Sequence, residues 1–248
     1  MRRLPKWLRI GLIAIGGIGL VLFAIGAILH KSRPEGKAGP EADALAQKML
    51  QTVGTTAWDS TGAISWNFGG VNQHLWDRQR HLARVTWGKN EVFVNLSSKE
   101  GVAFVGGARV EGKKKDKLVD KAWKSWVNDS FWLNPVVKAF DDGTTRYLVE
   151  VEEPGLQGLM VSYSSGGATP GDSYLWLLDE QCLPVAWQMW VSVLPIGGIK
   201  VPWDGWQTLP TGAQVASDHG FLQLTDIQAG NNLAELMPGE DPFAVLEP

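Results

Sequence analysis

Cysteine is all but absent. Cys182 stands alone among 248 residues, so no intramolecular disulfide can form even in an oxidising compartment. Basic residues are scarce after the N-terminus. Four of the 23 Lys and Arg (Arg2, Arg3, Lys6, Arg9) precede residue 10, leaving 19 against 26 acidic residues and a net charge near −7 for the remainder. That balance argues against a nucleic-acid partner, for which a basic face is expected. No G-x-S-x-G elbow occurs, and Cys182 has no histidine nearby in sequence to activate it.

Charge is also missing from Ile10 to Leu29, twenty consecutive residues just after the four basic ones. Twenty helical residues span about 30 Å, the thickness of a bilayer's hydrocarbon core. The segment reads as an uncleaved transmembrane anchor with a cytoplasmic basic stub at 1–9 and the main domain outside. The competing reading is a cleaved signal peptide, whose apolar core is shorter and ends in small residues. His30-Lys31-Ser32-Arg33 offers no such site, and no cysteine follows to accept a lipid. Glycines 11, 16, 17, 19 and 26 are never four apart, so no G-x-x-x-G dimer face is encoded. These features place the protein as a single-pass inner (cytoplasmic) membrane protein, N-terminus inside, with residues 41–248 periplasmic or extracellular.

The prolines and glycines of residues 30–40 have linker chemistry, with a flexible reach of about 20 Å. Glu41–Val53 has a helical stripe of Ala42, Leu45, Ala46, Met49, Leu50 and Val53, ended by Gly54. From Gly62 the period falls to two. Apolar residues alternate at 64/66/68, 83/85/87, 92/94/96, 147/149/151, 159/161/163, 174/176/178 and 187/189/191/193. Such runs, separated by turns such as Gly88-Lys89-Asn90, Asp141-Asp142-Gly143 and Pro170-Gly171, predict a mainly β antiparallel meander. A strongly twisted meander tends to curl toward a barrel. One helix interrupts it: Lys113–Trp126 sets Leu118, Val119, Ala122, Trp123 and Trp126 against a lysine-rich side. That side is either solvated or touches an anionic membrane surface.

Thirteen tryptophans are present, twelve of them after the N-terminal segment. They either fill a core or line a cavity for an apolar guest. The aromatic residues on the alternating faces (Trp66, Phe68, Trp87, Tyr163, Trp176, Trp187) are the expected ligand-binding set.

Other motifs carry less chemistry. Gly107-Ala108-Arg109-Val110-Glu111-Gly112-Lys113-Lys114 approaches a phosphate loop, but lysine replaces the hydroxyl that would hold magnesium, and a β-α-β rhythm is missing. His74, Asp77 and His81 would need a turn to converge on a metal, and no further ligands accompany them. Asp129, Asp172 and His219 are the acid–base candidates if the chain is an enzyme. Turn and capping roles explain the two aspartates as simply. No catalytic residue, metal site or cofactor is therefore assigned.

The helix opening Ala42-Asp43-Ala44-Leu45-Ala46-Gln47-Lys48-Met49-Leu50, followed by antiparallel strands broken by a helix, resembles the LolA/LolB-like lipoprotein-carrier fold. Asn128-Asp129-Ser130-Phe131-Trp132-Leu133-Asn134-Pro135 is similar to a motif of uncharacterised bacterial proteins with the same half-barrel. The resemblance implies a half-open β-barrel with lid helices over residues 41–248, holding a lipid or a lipidated protein without catalysis. The alternative is an envelope interaction module whose barrel is filled, with a protein partner at its rim.

Overall fold

In the computed structural model, residues 30–165 and 170–246 are described. The anchor segment Ile10–Leu29 and the Gly166-Gly167 pair fall outside them. Among the described residues, no helix is long and apolar enough to cross a membrane.

Two antiparallel meanders form the body, and neither closes into a barrel. The seven-stranded sheet runs β15-β2-β3-β4-β5-β6-β7. Its strands are β2 (Ala63–Phe68), β3 (Asn72–Asp77), β4 (Leu82–Trp87), β5 (Asn90–Asn95), β6 (Gly101–Val105), β7 (Ala108–Val110) and β15 (Leu224–Gly230). The six-stranded sheet runs β1-β8-β9-β10-β11-β12. It comprises β1 (Lys37–Ala38), β8 (Thr144–Val149), β9 (Gln157–Tyr163), β10 (Ser173–Leu178), β11 (Pro184–Trp190) and β12 (Ile199–Pro202). A short pair, β13 (Gln207–Thr208) and β14 (Gln214–Val215), links β12 to β15.

Each run of alternating apolar residues contains a strand, as the period of two requires, but β11 stops at Trp190 and leaves Val191 and Val193 in the loop that follows. In β5, Val92 and Val94 face one cluster with Ala83, Val85 and Ala103, while Phe93 faces another with Leu75 and Phe243. Both faces of this sheet are therefore covered. Helix α3 (Gly112–Leu133) lies on the first face, through Val119 and Ala122. The short helix α4 (Leu233–Leu236) and the 3₁₀ turn Pro242–Leu246 lie on the other, where Phe243 is 1% exposed.

Helix α1 (Pro40–Thr52) starts with proline in its first turn and buries Ala42, Leu45, Ala46, Met49 and Leu50. It packs with Leu159, Val161 and Trp176 of the six-stranded sheet. Gly54, at φ 70°, takes the left-handed position just past the helix and leads into α2 (Thr55–Ser60).

Helix α3 runs seven residues beyond Trp126, where the amphipathic pattern stops. Asn128-Asp129-Ser130 is turn-like in composition because such side chains compete for backbone hydrogen bonds. Asp129 instead turns its Oδ2 to partners outside the helix, and Pro135 drives Asn134 out of helical geometry (φ −157°, ψ 72°).

Residues 30–38, linker-like in composition, lie across the outer face of the six-stranded sheet. Lys31 N–H donates to the Gly197 carbonyl (3.0 Å), and Arg33 Nη1 to Ser173 Oγ (3.1 Å). A Cβ on Gly36 would stand 2.7 Å from Tyr147 Cβ, so only glycine lets the chain pass there before β1 pairs with β8.

Candidate functional site

The C-terminal half of α3 stands where the two sheets meet, and its side chains divide between them. Asp129, 2% exposed, turns to the seven-stranded sheet. Its Oδ2 accepts from His74 Nε2 (2.7 Å) and Asn72 Nδ2 (2.8 Å), and its Oδ1 from Asn128 Nδ2 (2.9 Å). His74, 1% exposed, stacks on Trp66 with centroids 4.4 Å apart and planes 12° from parallel. A carboxylate buried this deeply costs several kcal/mol unless its lone pairs are met, and three donors meet them here. The result fixes α3 to β3 by charge-assisted bonds.

Phe131 and Trp132 turn the other way. Phe131 meets Tyr163, Tyr174 and Trp187, at centroid distances of 5.9, 5.2 and 6.0 Å. Trp132 meets Trp187 (5.1 Å), Trp203 (6.5 Å), His219 (5.6 Å) and Phe221 (5.8 Å). Behind them, Trp176, Trp187 and Trp203 contact one another at 4.9 to 5.1 Å and are at most 1% exposed. The cluster reaches water at Phe221, which is 74% exposed. An aromatic path therefore runs unbroken from the core to the surface.

Polar atoms within this path are poorly matched. The indole N–H groups of Trp187 and Trp203 find no partner among the described residues. Nor does either His219 ring nitrogen find one of ordinary geometry, although the carbonyls of Pro202 and Trp132 favour its charged form. Desolvation outweighs them and pushes the His219 pKa down to about 4, so the ring is neutral at pH 7. Burial likewise raises the phenols of Tyr163 and Tyr174, aided in Tyr174 by Asp172. All are uncharged at neutral pH, which keeps the cluster apolar.

Of the six aromatics expected to bind a ligand, Tyr163, Trp176 and Trp187 share this cluster. Trp66 and Phe68 belong to the neighbouring cluster of β2 and β15, which Trp132 joins to the first. Trp87 lies apart, half-buried beneath Lys121 on the N-terminal half of α3. Phe131, Trp132, Trp203, His219 and Phe221 were not in that set. Phe131 and Trp132 sit in the one specific motif of the sequence, which was their available signal. Trp203 continues the alternation Ile199-Val201-Trp203, whereas Phe221 and His219 lie in a loop with no period to mark them.

The three acid–base candidates have separate surroundings. Asp129 is held by His74, Asn72 and Asn128; Asp172 accepts from Ser192 N–H (2.8 Å) and pairs with Tyr174; His219 lies against Trp203 at 4.1 Å. His74, Asp77 and His81 also part company. Asp77 is taken by Arg80 (2.6 Å), and His81 sits in the β3–β4 turn at φ 58°. Among the described residues no group of three potential ligands could hold a metal. Gly107 lies in the β6–β7 hairpin, and β7 separates it from α3, so Gly107–Lys114 does not form a loop between strand and helix.

No family model matches the chain, and no curated protein does. Among solved structures, the chain is similar to a DUF1329 family protein from Desulfovibrio piger ATCC 29098, at 10% identity and a TM-score of 0.43. The match covers 82% of this chain and 96% of that one. The likeness is to a β-rich fold, and no residue role passes across it. None of these comparisons links the chain to the lipoprotein carriers.

Proposed function

We propose that this is a membrane-tethered, extracytoplasmic binding protein for an apolar ligand, a lipid or the acyl chain of a lipidated protein, and that it is not a catalyst. On this reading Ile10–Leu29 is the anchor, and the two meanders form a half-open barrel with α1 and α3 as its lids, as in the lipoprotein carriers. The observation that carries it is the aromatic path from Trp176 and Trp187 through Trp132 to exposed Phe221. An acyl chain laid along such a path gains about 0.8 kcal/mol per methylene removed from water. The unpaired indoles of Trp187 and Trp203 add donors suited to an ester or carboxyl oxygen.

A diazirine-bearing fatty acid, incorporated into membranes that hold the full chain and then photolysed, tests the proposal by peptide mapping. Label is expected on peptides containing 126–133 and 219–222, falling several-fold in Trp132→Ala and Phe221→Ala chains. Label confined to residues 1–29 would overturn it.

A second reading has its own support. The buried rings touch: Trp187 meets four of them between 4.5 and 5.1 Å. A filled interior suits an envelope interaction module with a protein partner at its rim. Absence of label from the junction is the result that this reading expects.

A further inference from the structure

We infer that the loop between β11 and β12 rests in the headgroup region of the membrane and sets the orientation of the domain. This rests on the anchor reading of Ile10–Leu29.

Leu29 closes the uncharged run, and His30 and Lys31 are bonded directly to the β11–β12 loop. Gly197 N–H donates to His30 Nδ1 (3.0 Å), Lys31 N–H to the Gly197 carbonyl (3.0 Å), and Trp190 Nε1 to the Lys31 carbonyl (2.8 Å). A Cβ on Gly197 would stand 2.8 Å from Trp190 Nε1, and one on Gly198 2.6 Å from Lys31 Cβ. The glycine pair thus lets strap and loop meet without a gap. No slack separates the apolar run from this corner of the domain. If Leu29 leaves the hydrocarbon, the loop arrives at the interface with it.

The loop has the surface that this position demands. Val193 is 70% exposed and Leu194 is 40% exposed, two of the few large apolar side chains presented to solvent among the described residues. Pro195 is exposed beside them. Trp190 is half-buried, with its N–H on the strap, the placement of an interfacial indole. Lys31 and Arg33, both exposed, put positive charge at headgroup level. Apolar tip, indole and basic flank together match an interfacial contact, which reaches about 5–10 Å into the headgroup and acyl boundary. The same contact directs the six-stranded sheet toward the bilayer by its β11–β12 end.

The test uses the full chain in lipid vesicles. Val193→Cys and Leu194→Cys chains are labelled with an environment-sensitive fluorophore; Cys182 is buried, so the parent chain gives the background. Glu240→Cys, exposed on the far side of the other sheet, is the water reference. At 193 and 194 the emission is expected to shift to the blue, to be quenched several-fold more by nitroxide lipids than at 240, and to resist aqueous iodide. If both probes behave like the one at 240 while the chain stays in the membrane through alkaline carbonate, the inference fails alone. Extraction of the chain by carbonate overturns the anchor reading and the inference with it.

Discussion

Removing the carboxylate of Asp129 is the sharpest test of how the two sheets are held together. In Asp129→Ala, His74 Nε2, 1% exposed and now without its acceptor, cannot turn to water. An orphaned buried donor costs about 1–3 kcal/mol. Hydrogen bonds to a charged group, lost here from three donors, are worth about 1.5–3 kcal/mol each. Asn72 is only half-buried and regains water, so it adds little. About 3–5 kcal/mol is therefore expected in all. With a urea m-value of about 2–3 kcal/mol per molar, the unfolding midpoint should fall by about 1–2 M. Tryptophan emission is the readout, since Trp66 stacks on His74 and Trp132 is three residues away. Replacing both partners by leucine should recover most of the loss, because exchanging both members of a buried hydrogen bond for apolar groups of similar shape can be nearly neutral. The cycle formed by the two single variants and the double one then measures the coupling directly. If Asp129→Ala lies within about 1 kcal/mol of the parent, or the double variant is as poor as the sum of the singles, the pin does not hold α3 in place.

Two further outcomes follow from the same structure. The His219 pKa is depressed to about 4 in the folded state, so its contribution to stability is whole above about 6.5 and is lost as the pH falls through 4. That loss amounts to about 3 kcal/mol at most, and a His219→Phe chain should show a flatter profile of urea midpoint between pH 7 and 4. In Gly62→Ala, the added Cβ runs into the backbone carbonyl of Asn231, which a side-chain rotation cannot relieve. A destabilisation of about 1–3 kcal/mol, seen as a lower melting temperature, is expected there, and an unchanged melting temperature would show that the β2 and β15 ends yield freely.

How much was legible depended on whether a residue's partner was near in sequence. The alternation in β2, β4, β5 and β8 to β11 was readable because every second residue of each strand is apolar and faces one core cluster. Strand β3 was not: Asn72-Gln73-His74-Leu75-Trp76-Asp77 carries polar residues on both faces. His74 is tolerated inward only because Asp129, 55 residues later, meets it. The same bond hid the last two turns of α3, whose Asn-Asp-Ser composition suggested a turn. Residues 30–40 were misleading in the opposite sense, since their prolines and glycines imply freedom, yet glycine is what allows a close crossing at Gly36.

The amino-acid sequence by itself determined the local elements: the uncharged run of 10–29, the period of two, the amphipathic helices and the turns between them. These depend on steric preference and on the burial of one face, both properties of neighbours along the chain. Only the tertiary structure decided that the strands divide between two large sheets and a short pair, none closed into a barrel, rather than forming one curled meander. It also decided which tryptophans meet, that Asp129 belongs to His74, and that the strap lies against Gly197. Those outcomes depend on the packing of large rings, on the pairing of a buried carboxylate and on hydrogen bonds between residues up to 167 positions apart, as for His30 and Gly197.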